Sequence, residues 1–483
     1  MANTLTAPKR IGFWLGPGLA LGLLLIPVPD GLSIAAWGTG ALMIWMAIWW
    51  ATEAIPIPAT SLLPLIVLPL VGAASPEVVG ASYTHYIVLL LLGGFIIALG
   101  IERWDLHKRI ALNIVARVGA APKALIAGFM LATALLSMWI SNTATTLMMV
   151  PIALSAAAVV KDESGRFTAA LLLGVCYAAS IGGVGTPIGT PTNLIALDWL
   201  QQETGESLGF VQWMAFGLPA VCLLIPAAWW CVTRGLANLP DGQEARHVVR
   251  AAKAQLGGMR APEQRVALIF ALIALLWVTR LWSVDLLASL GWERLASFRG
   301  AEVDMMIAML GALAMFIIPA GGGEKRALLS WEEAVKLPWG VLILFGGGIA
   351  LGRAVRSTGL SAWIGENLAI LDVLPGVLFI ALVVILVLFL TELTSNVATM
   401  TTLAPILGGL AVAVGVAPSS LLAPAAVAAS CAFMLPVATA PNAVIYATGE
   451  VSMGQMIGRG LRLNLIGVVI ITFIGFGLAP LVL

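Results

Sequence analysis

Charge is what this sequence has least of. Asp, Glu, Lys and Arg make up 10% of its 483 residues, where a soluble domain carries about 25%. With 60% of the residues hydrophobic, too few charges remain to cover a water-facing surface, which excludes a soluble fold and predicts an integral membrane protein. A net charge of +1 supplies no basic field, so nucleic acid is excluded as a partner. Histidine is nearly absent, with three in the chain, and neither HExxH nor GxSxG occurs. Gly183-Val184-Gly185 runs on to Gly189 without dinucleotide spacing, a preceding soluble strand or a following Lys, so it is no phosphate loop. These absences predict a protein that is not an enzyme. The four cysteines, Cys176, Cys222, Cys231 and Cys431, stand in apolar runs without metal-ligand spacing and read as buried, inert thiols.

Long apolar runs are what the chain has instead. Residues 11–28 follow Lys9-Arg10 like a signal peptide, but no clean cleavage site follows, so they read as a first span. Runs near the length of a bilayer crossing place spans at 11–29, 33–50, 55–72, 85–101, 168–199, 210–233, 264–282, 301–318, 338–354, 419–449 and 463–481. Two further stretches fold back on themselves. Ala124 to Ile140 leads into Ser141-Asn142-Thr143-Ala144-Thr145-Thr146 and an apolar return to Val160, with Lys123 and Lys161 at the outer ends. Pro375 to Leu390 leads into Thr394-Ser395-Asn396-Val397-Ala398-Thr399 and a return through Val416. Each reads as a re-entrant hairpin with Ser-Asn at its tip. The expected architecture is all-α, with about eleven membrane helices and two such hairpins.

With the N-terminus in the cytoplasm, all but five of the 25 Lys and Arg residues fall on the inner side; Arg280, Arg294, Arg299, Arg353 and Arg356 are the exceptions. The positive-inside rule therefore predicts a cytoplasmic N-terminus and an external C-terminus. The halves also repeat. Gly94 to Gly100 matches Gly346 to Gly352, Ser141-Asn142 matches Ser395-Asn396, and Thr190-Pro191-Thr192-Asn193 matches Thr439-Ala440-Pro441-Asn442. Because matching spans run in opposite directions, the repeat is inverted, a common plan among secondary transporters.

Inside lipid, broken helices persist only where buried in protein or lining a cavity. The two Ser-Asn tips and the Pro-Asn interruptions give four such breaks. Helix N-termini at a break suit an anion, and carbonyls with side-chain oxygens suit a small cation. Ser137 lies one turn before Ser141, and Thr391 one turn before Ser395, making a neutral oxygen cage at each tip. No break contains Lys, Arg or His. Anion binding would then depend on co-bound cations, which is the physical basis of symport. Glu392 either supports the second tip or faces a polar neighbour; Glu53 reads as structural, and His85 as interfacial.

The twin hairpins, the Pro-Asn breaks and Trp49-Trp50-Ala51-Thr52-Glu53-Ala54-Ile55-Pro56-Ile57-Pro58 resemble the divalent anion/sodium symporter family over nearly the whole chain. The resemblance implies a homodimer of elevator-type protomers, with scaffold parts at 1–122 and 235–372 and transport parts at 123–234 and 373–483. It implies one sodium site at Ser137, Ser141, Asn142 and the backbone near Gly189, and a second at Thr391, Thr394, Asn396 and Thr439. It places the substrate against Asn142, Thr143, Thr192, Ser395, Asn396 and Pro441. Val397 stands where the second tip of the family carries Thr, which removes one hydroxyl. The implied activity is sodium-coupled import of C4-dicarboxylates (succinate, malate or fumarate) across a bacterial inner membrane, with no cofactor, sodium as the coupling ion and lipid as the surroundings. Dicarboxylate exchange, citrate or sulfate symport and a passive anion channel remain open alternatives.

Overall fold

The computed structural model describes residues 7–119, 121–160, 162, 165–205, 208–236, 243–368 and 375–483. Lys161 and the expected domain boundary at 372–373 lie outside them. Among the described residues eight helices are long and apolar enough to cross a membrane, and five shorter apolar helices accompany them. The second span lies at Ile34–Thr52, the fourth at Tyr86–Arg103 and the sixth at Phe210–Thr233, close to expectation. The first helix begins earlier than expected, at Ala7, and the last long one runs Met453–Gly477, followed by the short Ala479–Val482. The expected span at 55–72 is divided into Ile57–Thr60 and Pro64–Leu70, each opened by a proline in its first turn, where the missing N–H costs nothing. One small antiparallel ribbon, Pro319–Gly321 with Glu324–Ala327, interrupts an otherwise helical chain.

The hairpin arms explain themselves by length. Pro122–Ser137 and Gly376–Thr391 have 16 residues each, which at 1.5 Å per residue reach about 24 Å, short of the roughly 30 Å hydrocarbon core. Each arm stops at the Ser-Asn tip and a second helix returns, Asn142–Ala158 and Asn396–Ala413. Ser141 Oγ caps the first return helix by accepting from the Ala144 N–H at 3.2 Å. The expected spans at 168–199 and 419–449 are the broken ones. The first consists of Arg166–Gly183 and Pro191–Thr204, the second of Pro418–Ser430 and Ala440–Ala447.

The inner halves of these two broken helices form the centre of the molecule. Phe167 and every residue from Ala169 to Gly183 are buried, as is every residue from Ser419 to Ser430. Arg166–Gly183 packs on both arms of the first hairpin and on Phe210–Thr233. Pro418–Ser430 packs in the same way on both arms of the second hairpin and on Met453–Gly477. The helices after the breaks share a further repeat. Gly209 N–H donates to Gln212 Oε1 at 2.8 Å, and Ser452 N–H to Gln455 Oε1 at 2.9 Å, so matching glutamines cap matching helices. Around this centre, Tyr86–Arg103 packs on Gly300–Ile317, and Trp339–Ser357 packs on Ile34–Thr52 and Pro76–Tyr83.

Three of the four cysteines are buried as expected, but Cys222 is exposed. It sits on the long apolar helix Phe210–Thr233, where an outward-facing thiol beside Leu223 (51% exposed) needs no polar partner.

Candidate functional site

Both hairpin tips and both breaks open onto one cavity of about 1070 Å³. Ser141, Asn142, Thr143, Gly189, Thr394, Ser395, Asn396, Thr439 and Pro441 all line it, so nine of the expected site residues meet in one place. Val397 lines it too, as a methyl surface where a threonine would present a hydroxyl. The far wall is formed by Lys9, Trp50, Glu53, Glu102 and Lys336. Glu53 therefore has a place at the site that its position in sequence did not show. It adopts a left-handed conformation (φ 46°) at the end of Ile34–Thr52 and pairs with Lys9 at 3.2 Å.

Ser137 and Thr391 are fully buried just behind the tips. Ser137 Oγ lies 2.6 Å from Asn142 Oδ1 and 2.7 Å from the Ala179 carbonyl oxygen. Thr391 Oγ1 lies 2.9 Å from Asn396 Oδ1 and 2.8 Å from the Ala429 carbonyl oxygen. A hydroxyl has one proton and satisfies one of its two acceptors at a time. Each tip thus holds three oxygens with a surplus of lone pairs, the donor set of a small hard cation. Ala179 and Ala429, which complete the cages, carry no side-chain signal, and sequence reading did not find them.

The breaks are held open by their asparagines. Asn193 Nδ2 donates to the carbonyls of Gly183 at 2.9 Å and Thr186 at 2.7 Å, and Asn442 Nδ2 donates to those of Ala432 at 3.0 Å and Leu435 at 2.8 Å. These four contacts correspond residue by residue between the halves. The loops are further tied to the tips in two different ways. In the first half the Thr186 hydroxyl donates to the Met138 carbonyl. In the second half Glu392, 3% exposed, accepts from the N–H groups of Phe433 (2.7 Å), Met434 (3.0 Å) and Leu435 (3.2 Å) and from Asn464 Nδ2 (2.7 Å). Glu392 supports the tip.

Thr192 lies away from the cavity, and the hydroxyl of Thr394 has partners within its own hairpin. Thr192 is fully buried away from the cavity, with its hydroxyl 2.8 Å from Ser430 Oγ. The matching position in the second half is Pro441, which has no hydroxyl, and Ser180 Oγ is correspondingly left without a partner. Thr394 does line the cavity, but its hydroxyl is engaged by the Leu390 carbonyl at 3.0 Å and Thr399 Oγ1 at 2.6 Å. His85 is half-buried at the start of Tyr86–Arg103, with Nδ1 3.8 Å from Asp198 Oδ1, beyond hydrogen-bond reach.

Electrostatics follow from the helix ends. Asn142–Ala158, Pro191–Thr204, Asn396–Ala413 and Ala440–Ala447 all begin at the cavity. Four helix N-termini thus present free N–H groups and positive dipole ends to one space. Thr439 Oγ1 accepts from the Asn442 N–H at 3.2 Å and fixes one of these ends. The tips supply no Lys, Arg or His, so a doubly charged anion here would be held by dipoles, amides, hydroxyls and adjacent cations.

Comparison with known proteins identifies the family. Residues 18–482 match the family described as the sodium:sulfate symporter transmembrane region. The chain belongs to that family. A protein of Staphylococcus saprophyticus named sodium-dependent dicarboxylate transporter SdcS is 41% identical over 493 residues, covering 98% of this chain and 92% of the relative. The protein of the same name from Staphylococcus aureus is 42% identical over 496 residues, covering 99% and 92%. Solved structures share the fold at low identity. MtrF of Neisseria gonorrhoeae, described with a class of antimetabolite efflux pumps, matches with a TM-score of 0.60 at 15% identity over 98% of this chain and 97% of that one. The YdaH transporter of Alcanivorax borkumensis matches at 0.55 and 16% identity over 92% and 98%. The expected family and the helical membrane-transporter fold both stand.

One glycine at this cavity permits a direct test. A Cβ on Gly189 would overlap the Gly183 carbonyl oxygen, and one on Gly183 would come within 2.6 Å of Asn142 Oδ1. Gly189→Ala is expected to push the break apart at a cost of about 1–3 kcal/mol. In thermal unfolding of the purified protein, both the melting temperature and its rise with added sodium should fall. A sodium response equal to wild type would detach Gly189 from the cation cage.

Proposed function

We propose that the protein is a sodium-coupled symporter that imports C4-dicarboxylates such as succinate, malate and fumarate, without altering them chemically. The observation that carries this reading is the pairing of two equivalent hydroxyl–amide–carbonyl cages with four helix N-termini around one cavity. The names of the 41–42% identical relatives agree with it. Sodium at Ser137, Asn142 and the Gly189 backbone, and at Thr391, Asn396 and the Thr439 backbone, would place positive charge beside the anion. Ser141 and Thr394 border these cages. Asn142, Thr143, Ser395, Asn396 and Pro441 would contact the carboxylates. The dianion gains its counter-charge only when the cages are filled, which couples the two fluxes.

The reading includes a cytoplasmic N-terminus, residence in a bacterial inner membrane and assembly as a homodimer. It assigns the hairpins, broken helices and helices Phe210–Thr233 and Met453–Gly477 to a moving transport part. The remaining helices form the scaffold of an elevator. The cavity is bordered by Lys9, Glu102 and Lys336, on the side that the basic residues mark as cytoplasmic, so this conformation faces inward.

The test is radiolabelled succinate uptake into proteoliposomes under an inward sodium gradient, against a potassium control. Uptake that requires sodium is expected. Uptake driven instead by internal dicarboxylate would make the protein an exchanger, and sodium-independent flux without saturation would make it a channel. Val397→Thr restores a hydroxyl to the cavity wall and is expected to change the ranking of succinate, citrate and sulfate by several-fold while sodium dependence stays within about twofold. An unchanged ranking would show that this wall does not read the substrate.

A further inference from the structure

On the side away from the cavity mouth, two elements of the proposed transport part are bolted to the proposed scaffold. Phe210, the first residue of its helix, stacks on Trp277 of Ala261–Val278 with ring centroids 4.4 Å apart and planes 8° from parallel. Trp139, in the tip of the first hairpin, stacks on the same two rings at 5.9 and 6.2 Å and meets Phe270 edge-on at 4.9 Å. A buried ion pair fixes this cluster. Asp304 Oδ2 accepts from Arg280 Nη1 at 2.8 Å and from the Phe210 N–H at 2.9 Å, and the Asp304 carbonyl accepts from Trp277 Nε1 at 3.1 Å. Arg280 lies so close beneath Gly209 that a Cβ there would overlap its guanidinium. Beside the cluster, the Tyr86 hydroxyl donates to Gln201 Oε1. The space between Tyr86, Gln201, Phe210, Ala301 and Asp304 is about 10 Å³, barely the volume that one water needs. Among the described residues the two parts are in close contact here.

The repeat shows what the opposite side looks like. The position equivalent to Trp139 in the second hairpin is Leu393, which is 71% exposed and lines the cavity. The residue equivalent to Phe210, by the matching helix caps at Gly209 and Ser452, is Met453; it is 40% exposed where Phe210 is 2% exposed. Equivalent positions of one repeat are therefore packed on one side and open on the other.

Resting on the elevator reading above, we propose that Trp139, Phe210, Phe270 and Trp277, locked by the Arg280–Asp304 pair, form a latch. It closes the outer path in this conformation, must separate once in each transport cycle, and sets the balance between the two conformations. The interaction joins aromatic faces with a buried charge that accepts a backbone N–H, so separation exposes both at once. That makes the latch two-state rather than gradually yielding.

The test uses full-length protein carrying Cys222→Ser, which leaves three buried thiols. Ala301, 7% exposed, lies in this narrow space, so a cysteine placed there by Ala301→Cys on this background is expected to react with a maleimide mainly when the latch is open. Adding Trp277→Ala is expected to raise the labelling rate roughly three- to tenfold, the factor that lost ring stacking gives. Trp277→Phe, which keeps a ring there, should raise it less. Labelling as slow with Trp277→Ala as without it, in monodisperse protein, overturns the proposal. In a second arm, Phe210→Cys with Trp277→Cys is oxidised in proteoliposomes. Uptake should stop when the disulfide forms and return on reduction, and uptake that continues through a formed disulfide overturns the latch. The labelling arm needs no substrate. If the parent protein fails to take up succinate, the proposed function falls while the latch is still tested.

Discussion

Asn142→Ala and Asn396→Ala are each expected to abolish sodium-driven uptake while leaving a folded protein. Each amide oxygen is one of three oxygens gathered at its tip, within 2.6 Å of Ser137 Oγ or 2.9 Å of Thr391 Oγ1. With sodium bound there as proposed, removing it takes away a ligand to a charged group, worth about 1.5–3 kcal/mol, so cation binding at that tip should weaken roughly ten- to hundredfold. On the same reading the anion would lose a contact to that side chain and also its neighbouring positive charge, so the two losses compound. The fold should survive, because both residues open helices, at Asn142–Ala158 and Asn396–Ala413, and Ser141 still caps the first. The distinguishing measurement is thermal stability with and without sodium. In wild type, sodium binding to the folded state alone raises stability by mass action. In the variants this rise should shrink while the sodium-free melting temperature holds. Near-normal uptake by both variants would remove the tips from the mechanism.

Much of this was visible in sequence, and the reason is physical. A membrane forbids unpaired backbone, so every break in an apolar run marks either a loop or a cavity. Matched breaks at Ser141-Asn142 and Ser395-Asn396 leave the second reading. Helix ends were harder to place. The 55–72 run appeared continuous because Pro64 and Pro69 sit among aliphatic residues, yet the chain breaks there into two short helices. The amphipathic helix Gln243–Gln255 falls between the expected spans; its buried face is as small as Ala245 and Val249, too little to stand out in an apolar chain. Within the site, side chains with a motif were found and backbone groups without one were not. Ala179 and Ala429 contribute only backbone carbonyl oxygens, and nothing in an alanine announces that. Thr192 is the opposite case: its motif match is plain in sequence, but its hydroxyl is turned to Ser430 by a rotamer choice that no sequence displays.

Glu392 is the position where one atom type has the most to lose. Its carboxylate is buried and accepts from three consecutive N–H groups, Phe433 to Leu435, and from Asn464 Nδ2. No cation pairs with it among the described contacts; the negative charge is stabilised by donors alone, as at a helix N-terminus. Glu392→Ala would strand four buried donors, at about 1–3 kcal/mol each, a sum comparable to the whole stability of a typical domain. It is expected to yield little folded protein. Glu392→Gln is the informative change. The amide keeps the volume and one acceptor oxygen but turns an NH₂ group toward backbone N–H groups, so at least one donor loses its partner. The affected loop runs directly into Val437, Thr439 and Pro441 at the cavity wall, whereas the cage at Thr391, Asn396 and Ala429 keeps all its oxygens. The expected result is therefore split. Half-saturation for succinate should rise about tenfold, the equivalent of 1.4 kcal/mol, while half-saturation for sodium moves less. A charge-only role for Glu392 would give the reverse, because removing a buried negative charge beside the cage would weaken sodium first. Kinetics of uptake at saturating sodium, then at saturating succinate, distinguish the two. If sodium affinity alone changes, the carboxylate acts through its field and not through the loop it holds.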